Sequence, residues 1–317
     1  MADAVAADAK VEGAEPVEEA EAEYIELFSG AALSATDAEV ITLRSRTHLV
    51  VFAGAEGSGK TTVLASIYER LNQGAFAEFK FAGSRSLLGF EEICHLNRLA
   101  SGRTQPETRR TPVTDETKYY HLALRAVEPS ATRRNVLLSA MSGELFRMAR
   151  DSQEDAERLT FLHRADTIVV LVDGERLATP AQRTSAQADA ADILESLLDA
   201  SMVSPSCRVE IVFSKLDRIT AAGQDALEFL VKTQEKFEGK FRARVPHLSF
   251  RQIAARPAPS SASEKSDGGL AEAFVSWTTV VPSSSTDEHL GQPAPAPDDR
   301  EFSKFGWRHF ERTRRDP

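Results

Sequence analysis

Lys60 and Thr61 close the run Gly54-Ala55-Glu56-Gly57-Ser58-Gly59-Lys60-Thr61, followed by Thr62, and that spacing is the phosphate-binding P-loop. Its glycines let the backbone curl until successive N–H groups, that of Ser58 among them, point inward at a β-phosphate. The helix that follows adds its positive end. Lys60 would then reach the β- and γ-phosphates, and the Thr61 hydroxyl would ligate Mg²⁺. The setting agrees: HLVVFA before the loop reads as an apolar strand, and Val63, Leu64, Ile67 and Leu71 after it recur at helical spacing. The chemistry implied is the binding of a nucleotide.

A second candidate element, Ser214-Lys215-Leu216-Asp217, leaves the apolar run of RVEIVFSKLDR. It resembles the NKxD element of GTPases, in which the carboxylate takes both the N1–H and the exocyclic amine of guanine while the lysine stem lies along the base. That resemblance makes Asp217 the residue that selects guanine and Lys215 its companion. An unpaired buried carboxylate penalises the wrong base. Ser214 departs from the usual Asn or Thr. Ile253-Ala254-Ala255-Arg256 ends the next strand where GTPases carry a small-residue loop, so Ala254 and Ala255 are the candidates for backbone contact with the guanine oxygen.

Two switch elements belong between these anchors. Arg109-Arg110-Thr111-Pro112-Val113-Thr114 resembles switch I, with Thr111, then Thr114, as the second Mg²⁺ ligand and γ-phosphate sensor. Arg110, then Arg109, is the candidate for stabilising the transition state in cis. Ala140-Met141-Ser142-Gly143-Glu144 aligns with the DxxG element of switch II, except that Ala140 stands in place of the aspartate that holds a Mg²⁺-bound water. A methyl group accepts no hydrogen bond, so weakened magnesium binding and slow turnover are expected. The resemblance implies that Gly143 can still offer its N–H to the γ-phosphate, and it puts Glu144 where many GTPases have the residue that orients the attacking water. The readings of Ala140 that stay open are a pseudo-GTPase, a compensating carboxylate such as Asp173, and an engineered substitution.

The elements needed to position these residues follow from the hydrophobic pattern. Residues 119–127 alternate in strand fashion and turn through 129–132 into the strand 135–140, which predicts a hairpin. A helical stretch through Leu159 and Leu162 precedes a strand at 167–173. Then come a helix at 186–198, a strand at 209–213, a helix at 226–237, a strand at 247–254 and a closing helix at 270–277. Such alternation specifies an α/β fold, a mostly parallel six-stranded sheet with one antiparallel hairpin strand and helices on both faces, and the resemblance of the motifs to those of GTPases implies its Ras-like version. Residues 75–118 are too long for a simple connection and show one helical pattern, at 87–99.

The chain of 317 residues carries a net charge of -10, much of it in an alanine-rich acidic stretch at residues 1–26, read as a disordered tail. The P-loop domain spans residues 27–280, residues 281–299 form a Pro/Ser/Ala linker, and 300–317 interleave Phe302, Phe305, Trp307 and Phe310 with arginines. That last segment either packs back on the domain or docks on a partner. The overall acidity argues against nucleic acid. Cys94 and Cys207 lie far apart without metal-ligand spacing, which fits a reduced, cytoplasmic setting, and no membrane-spanning run is present.

Taken together, FAGAEGSGKTTVLASIYERL, FAGSRSLLGFEE, the RRT segment, LLSAMSGELF and VFSKLDR resemble the TRAFAC-class bacterial double-GTPase family over residues 45–280. The resemblance implies a GTPase using GTP/GDP and Mg²⁺ that works beside a protein partner, either a second GTPase or an activating protein, in multi-gene systems with regulatory or conflict roles. Rival readings are a catalytically silent nucleotide-binding scaffold and an ATP-using P-loop protein in which Asp217 is incidental.

Overall fold

The computed structural model describes residues 29–95, 117–128, 133–142, 144–145, 148, 159–256 and 268–279. Strand β1, Thr47–Gly54, is nearly all apolar and buried on both faces, as expected for a central strand of a parallel sheet. It is flanked by β4 (Arg133–Ser142) and β5 (Thr167–Val172), both parallel to it. Strands β6 (Arg208–Phe213) and β7 (Leu248–Gln252) continue the sheet in parallel on one side. On the other side β3 (Tyr119–Ala126) runs antiparallel to β4, and β2 (Phe79–Gly83) antiparallel to β3. The order is β2-β3-β4-β1-β5-β6-β7.

The sheet thus has seven strands where the pattern gave six. The extra one, β2, lies in the segment 75–118. Its five residues, FKFAG, end at an irregularity between Phe81 and Gly83, too short a run to declare itself by alternation. The antiparallel element is as expected: β3 alone runs against the rest.

Side-chain alternation along β1 divides the core. Val51 and Ala53 join one buried cluster and Val50 and Phe52 the other. The first is covered by α1 (Ala35–Arg44), α5 (Arg183–Asp199) and α7 (Gln224–Phe241). The second is covered by α2 (Lys60–Gln73), α3 (Leu87–His95) and α8 (Leu270–Thr278). Two short helices, α4 (Gly174–Ala178) and α6 (Leu216–Ala221), begin just beyond β5 and β6. Helix α1 was not evident from periodicity, since only Ala38 and Ile41 are buried. It is set by a capping box in which Ser34 Oγ accepts from Asp37 N at 3.2 Å and Asp37 Oδ2 accepts from Ser34 N at 3.1 Å. The stretch around Leu159 and Leu162 is a 3₁₀ turn, Thr160–Arg164.

The parallel register aligns the carboxyl ends of the strands: Gly54 pairs with Ser142 and with Leu171, Val172 with Phe213, and Phe213 with Gln252. Loops leaving β1, β4, β5, β6 and β7 therefore emerge along one edge, where ligands of open α/β sheets bind. No helix among the described residues is long and apolar enough to cross a membrane. The predicted tails, the linker and switch I lie outside the described residues.

Candidate functional site

The loop from Gly54 to Lys60 joins β1 to α2. Gly57 and Gly59 sit at φ +79° and +94°, a region that L side chains rarely adopt, and Gly59 caps α2. A Cβ on Gly54 would come within 2.6 Å of Ser58 Oγ, so the first glycine admits close packing of the loop on its own strand. Ser58 is fully buried and its hydroxyl has no hydrogen-bond partner within the protein. A buried polar atom at the floor of a positive-φ loop suits a polar ligand such as a phosphate chain.

Lys60 is 5% exposed, and its Nζ donates to the carbonyls of Gly54 at 2.8 Å and Ala55 at 2.9 Å. Burial lowers its pKa to about 8, against the opposing pull of the Glu56 and Asp173 carboxylates. Thr61 and Thr62 occupy the first turn of α2, half-buried, where the predicted metal ligand belongs. No cluster of three or more His, Cys, Asp or Glu suited to a metal exists among the described residues. Hydroxyl and phosphate oxygens fit a hard cation such as Mg²⁺, so the donor set present is consistent with one held largely by a nucleotide.

The base-reading candidates stand beside this loop. Ser214 N and Oγ both donate to Val172 O at 3.1 Å, and a Cβ on Gly59 would lie 4.0 Å from Ser214 Cβ and Oγ. The serine is buried, and its hydroxyl ties the loop to the end of β5. Lys215 adopts φ +50° and caps α6, with Asp217 in the first turn of that helix, its carboxylate mostly buried and 3.9 Å from Arg218 Nε. Leu216 N donates to Ile253 O at 3.0 Å, which binds this loop to the one after β7. Ile253 and Ala254 lie past the end of that strand. Ala254 N donates to Gly268 O at 2.8 Å, so its amide is engaged inside the protein, and Ala255 is left as the candidate for contacting a base.

Ala140 pairs with Phe52, two residues before Gly54, and packs on the apolar cluster that includes Val63 and Leu64 of α2. Its methyl group therefore lies on the same side of the sheet as the start of α2, where a switch II carboxylate would face Thr61. Glu144 is exposed just past β4. Gly143, Arg109, Arg110, Thr111 and Thr114 lie outside the described residues.

Asp173 does not stand where the missing aspartate would. Strand β1 stands between β4 and β5, which puts the ends of those two strands roughly 9–10 Å apart. Asp173 Oδ1 is instead engaged by Glu175 N at 3.0 Å, Arg176 N at 3.4 Å and Lys215 Nζ at 3.0 Å, and Lys215 Nζ also reaches Glu175 Oε2 at 3.0 Å. Sequence reasoning missed this pairing. Asp followed by Gly-Glu after a buried strand signals a helix cap, but nothing local signals a partner 42 residues downstream.

The profile of the family described as Double-GTPase 2 matches residues 48–278. A search among curated proteins gives no match. Among solved structures the chain is similar to a point variant of Aquifex aeolicus Era bound to GDP and aluminium fluoride, at 13% identity and a TM-score of 0.38, covering 80% of this chain and 61% of that one. It is also similar to the S. cerevisiae Ski7 GTPase-like domain bound to GDP and inorganic phosphate, at 11% identity and a TM-score of 0.44, with 81% and 53% covered. The same domain bound to GTP gives 11% identity and 0.40, with 78% and 53% covered. The chain thus spans between half and two thirds of the length of these structures.

Proposed function

The chain belongs to the Double-GTPase 2 family, and from that membership we propose that it is a guanine-nucleotide switch that hydrolyses GTP to GDP slowly. The observation that carries this reading is that two loops are neighbours: a Cβ on Gly59 of the phosphate loop would lie 4.0 Å from Ser214 of the base-reading loop. In this reading Lys60 and the loop amides hold the phosphates, Asp217 and Lys215 hold guanine, and Ala255 faces the guanine oxygen. Thr61 and Thr111 would hold Mg²⁺, which supplies charge neutralisation at the β- and γ-phosphates when bound. Glu144 orients water for attack on the γ-phosphorus as the bond to the bridging oxygen breaks, releasing GDP and phosphate. Gly143 and Arg110 steady the charge that develops. Switch movement then alters the affinity for a protein partner, either a second GTPase or an activating protein.

Ala140 favours a second reading, a scaffold that retains nucleotide without turnover, because a packed methyl group faces the place where a metal-directed carboxylate would act. Calorimetric titration with GTP, GDP and ATP analogues, with and without Mg²⁺, together with phosphate release from GTP, on this chain and on Ala140→Asp tests both. Guanine-selective binding, with Mg²⁺ dependence and turnover rising in the variant, supports the slow switch. Guanine binding with no turnover in either protein supports the scaffold, and equal affinity for adenine nucleotides overturns the guanine assignment.

A further inference from the structure

Asp173 is 5% exposed at the end of β5, and the cap it forms on α4 does not account for its charge. A five-residue helix is capped as well by a neutral Asn or Ser. The buried carboxylate is explained by what lies on either side of it. One oxygen holds the Lys215 ammonium at 3.0 Å. The other, Oδ2, lies 3.5 Å from where a Cβ on Gly57 would stand. The carboxylate thus sits between the phosphate loop and the base-reading loop, and it also favours the charged form of Lys60. The loops leave little slack around it: a Cβ on Gly174 would lie 1.9 Å from Ser214 O, so α4 begins in direct contact with the base loop.

Lys215 is held from both ends. Its backbone is in the left-handed region, uncommon for a residue with a side chain, and is fixed by the bonds of Ser214 to Val172 and of Leu216 to Ile253. Its ammonium is fixed by Asp173 and Glu175. A lysine held at both its backbone and its head has little freedom left to lose when its stem is laid along a planar base.

We propose that Asp173 is a positioning residue that anchors the Lys215 head, so that the lysine stem is ready for the base while the same carboxylate braces the phosphate loop beneath Gly57. This rests on the guanine-site reading above. The test is a double-mutant cycle for GDP affinity. Asp173→Asn keeps the acceptor that caps α4 and removes the charge, and Lys215→Met keeps the stem and removes the ammonium. Each single variant is expected to weaken GDP binding about tenfold, and the double variant no more than the weaker-binding single, because both changes break one linkage. The melting temperature without nucleotide should stay within roughly 4 °C of the natural chain in Asp173→Asn. Unchanged GDP affinity in Asp173→Asn, or losses that multiply in the double variant, would overturn the proposal. If Asp173→Asn does not fold, Lys215→Met decides, since unchanged affinity there overturns it equally. A natural chain that binds ADP as well as GDP, or neither, refutes the guanine site and this proposal together. Selective GDP binding with an unaffected Asp173→Asn refutes the positioning role alone.

Discussion

Lys60 carries opposite consequences for binding and for stability, both set by its burial. With its pKa lowered to about 8, the ammonium is charged at pH 7 and loses its proton as pH rises through that value. GDP affinity should therefore fall between pH 7 and 9, measured by calorimetry, although a bound phosphate chain shifts the midpoint upward. The stability of the nucleotide-free protein moves the other way. Between about 8 and the ordinary lysine value of 10.5 the unfolded chain binds more protons than the folded one, so this group makes stability rise with pH. Lys60→Met should lack that rise, and urea denaturation of the two proteins at pH 7.5 and 10 checks it. Asp217 belongs to the same scale. In the proposed guanine site, replacing it by Asn would remove two charge-assisted hydrogen bonds to the base and should weaken GDP binding by about two orders of magnitude, with ADP binding unchanged.

At the scale of elements, the site depends on helices and loops that touch without room to move. Gly174→Ala forces a methyl group into Ser214 O, so α4 must separate from the loop between β6 and α6. The expected cost is ~2–3 kcal/mol in urea denaturation, with a loss of GDP affinity beside it. On the far side of the sheet the β2–α3 connection is clamped to β3 and β4 through His121. Arg85 N donates to His121 Nδ1 at 3.1 Å, so Nε2 carries the proton and donates to Asn135 Oδ1 at 3.1 Å, while Asn135 Nδ2 donates to Ser45 Oγ at 2.9 Å. Burial holds this imidazole below its ordinary value of 6.5, with Arg85 and Arg133 adding to the effect. A depressed histidine contributes stability that is present above 6.5 and lost as pH falls toward its folded value. The stability advantage of the natural chain over His121→Gln should therefore shrink from pH 7 to pH 5, as read by thermal unfolding.

At the scale of the whole molecule, α8 closes the face that carries α2, and it does so through a buried polar anchor. Trp277 packs edge-on to Phe52 of the central strand, with ring centroids 5.2 Å apart, and its Nε1 donates to Glu210 Oε2. Arg251 Nε reaches the other Glu210 oxygen at 2.9 Å, so this fully buried carboxylate in β6 is matched on both sides. Trp277→Ala removes the ring from the core and a donor from Glu210, and should cost ~3–5 kcal/mol in urea denaturation.

What was legible in the sequence was legible because its causes are local. The P-loop needs particular residues within eight positions, the run SKLD after VEIVF needs a strand end, and the alternation of strands with helices after residue 119 follows from apolar spacing. Lys60 and Thr61 were found on those grounds, Lys215 and Asp217 by the likeness of SKLD to the NKxD element, and the structure brings their loops to one edge of one sheet. Ala140 announced itself only as a departure from a pattern. Its place opposite Phe52, on the α2 side of the sheet, came from strand register. The strand Phe79–Gly83 and the helix Ala35–Arg44 were hidden, one by its brevity and one by a face with only two buried residues. The contacts of Asp173 with Lys215, of Glu210 with Trp277 and of His121 with Asn135 were decided by tertiary structure alone. Each joins residues brought together by strand order and burial, and no spacing within the chain encodes a partner that is chosen by the packing of distant elements.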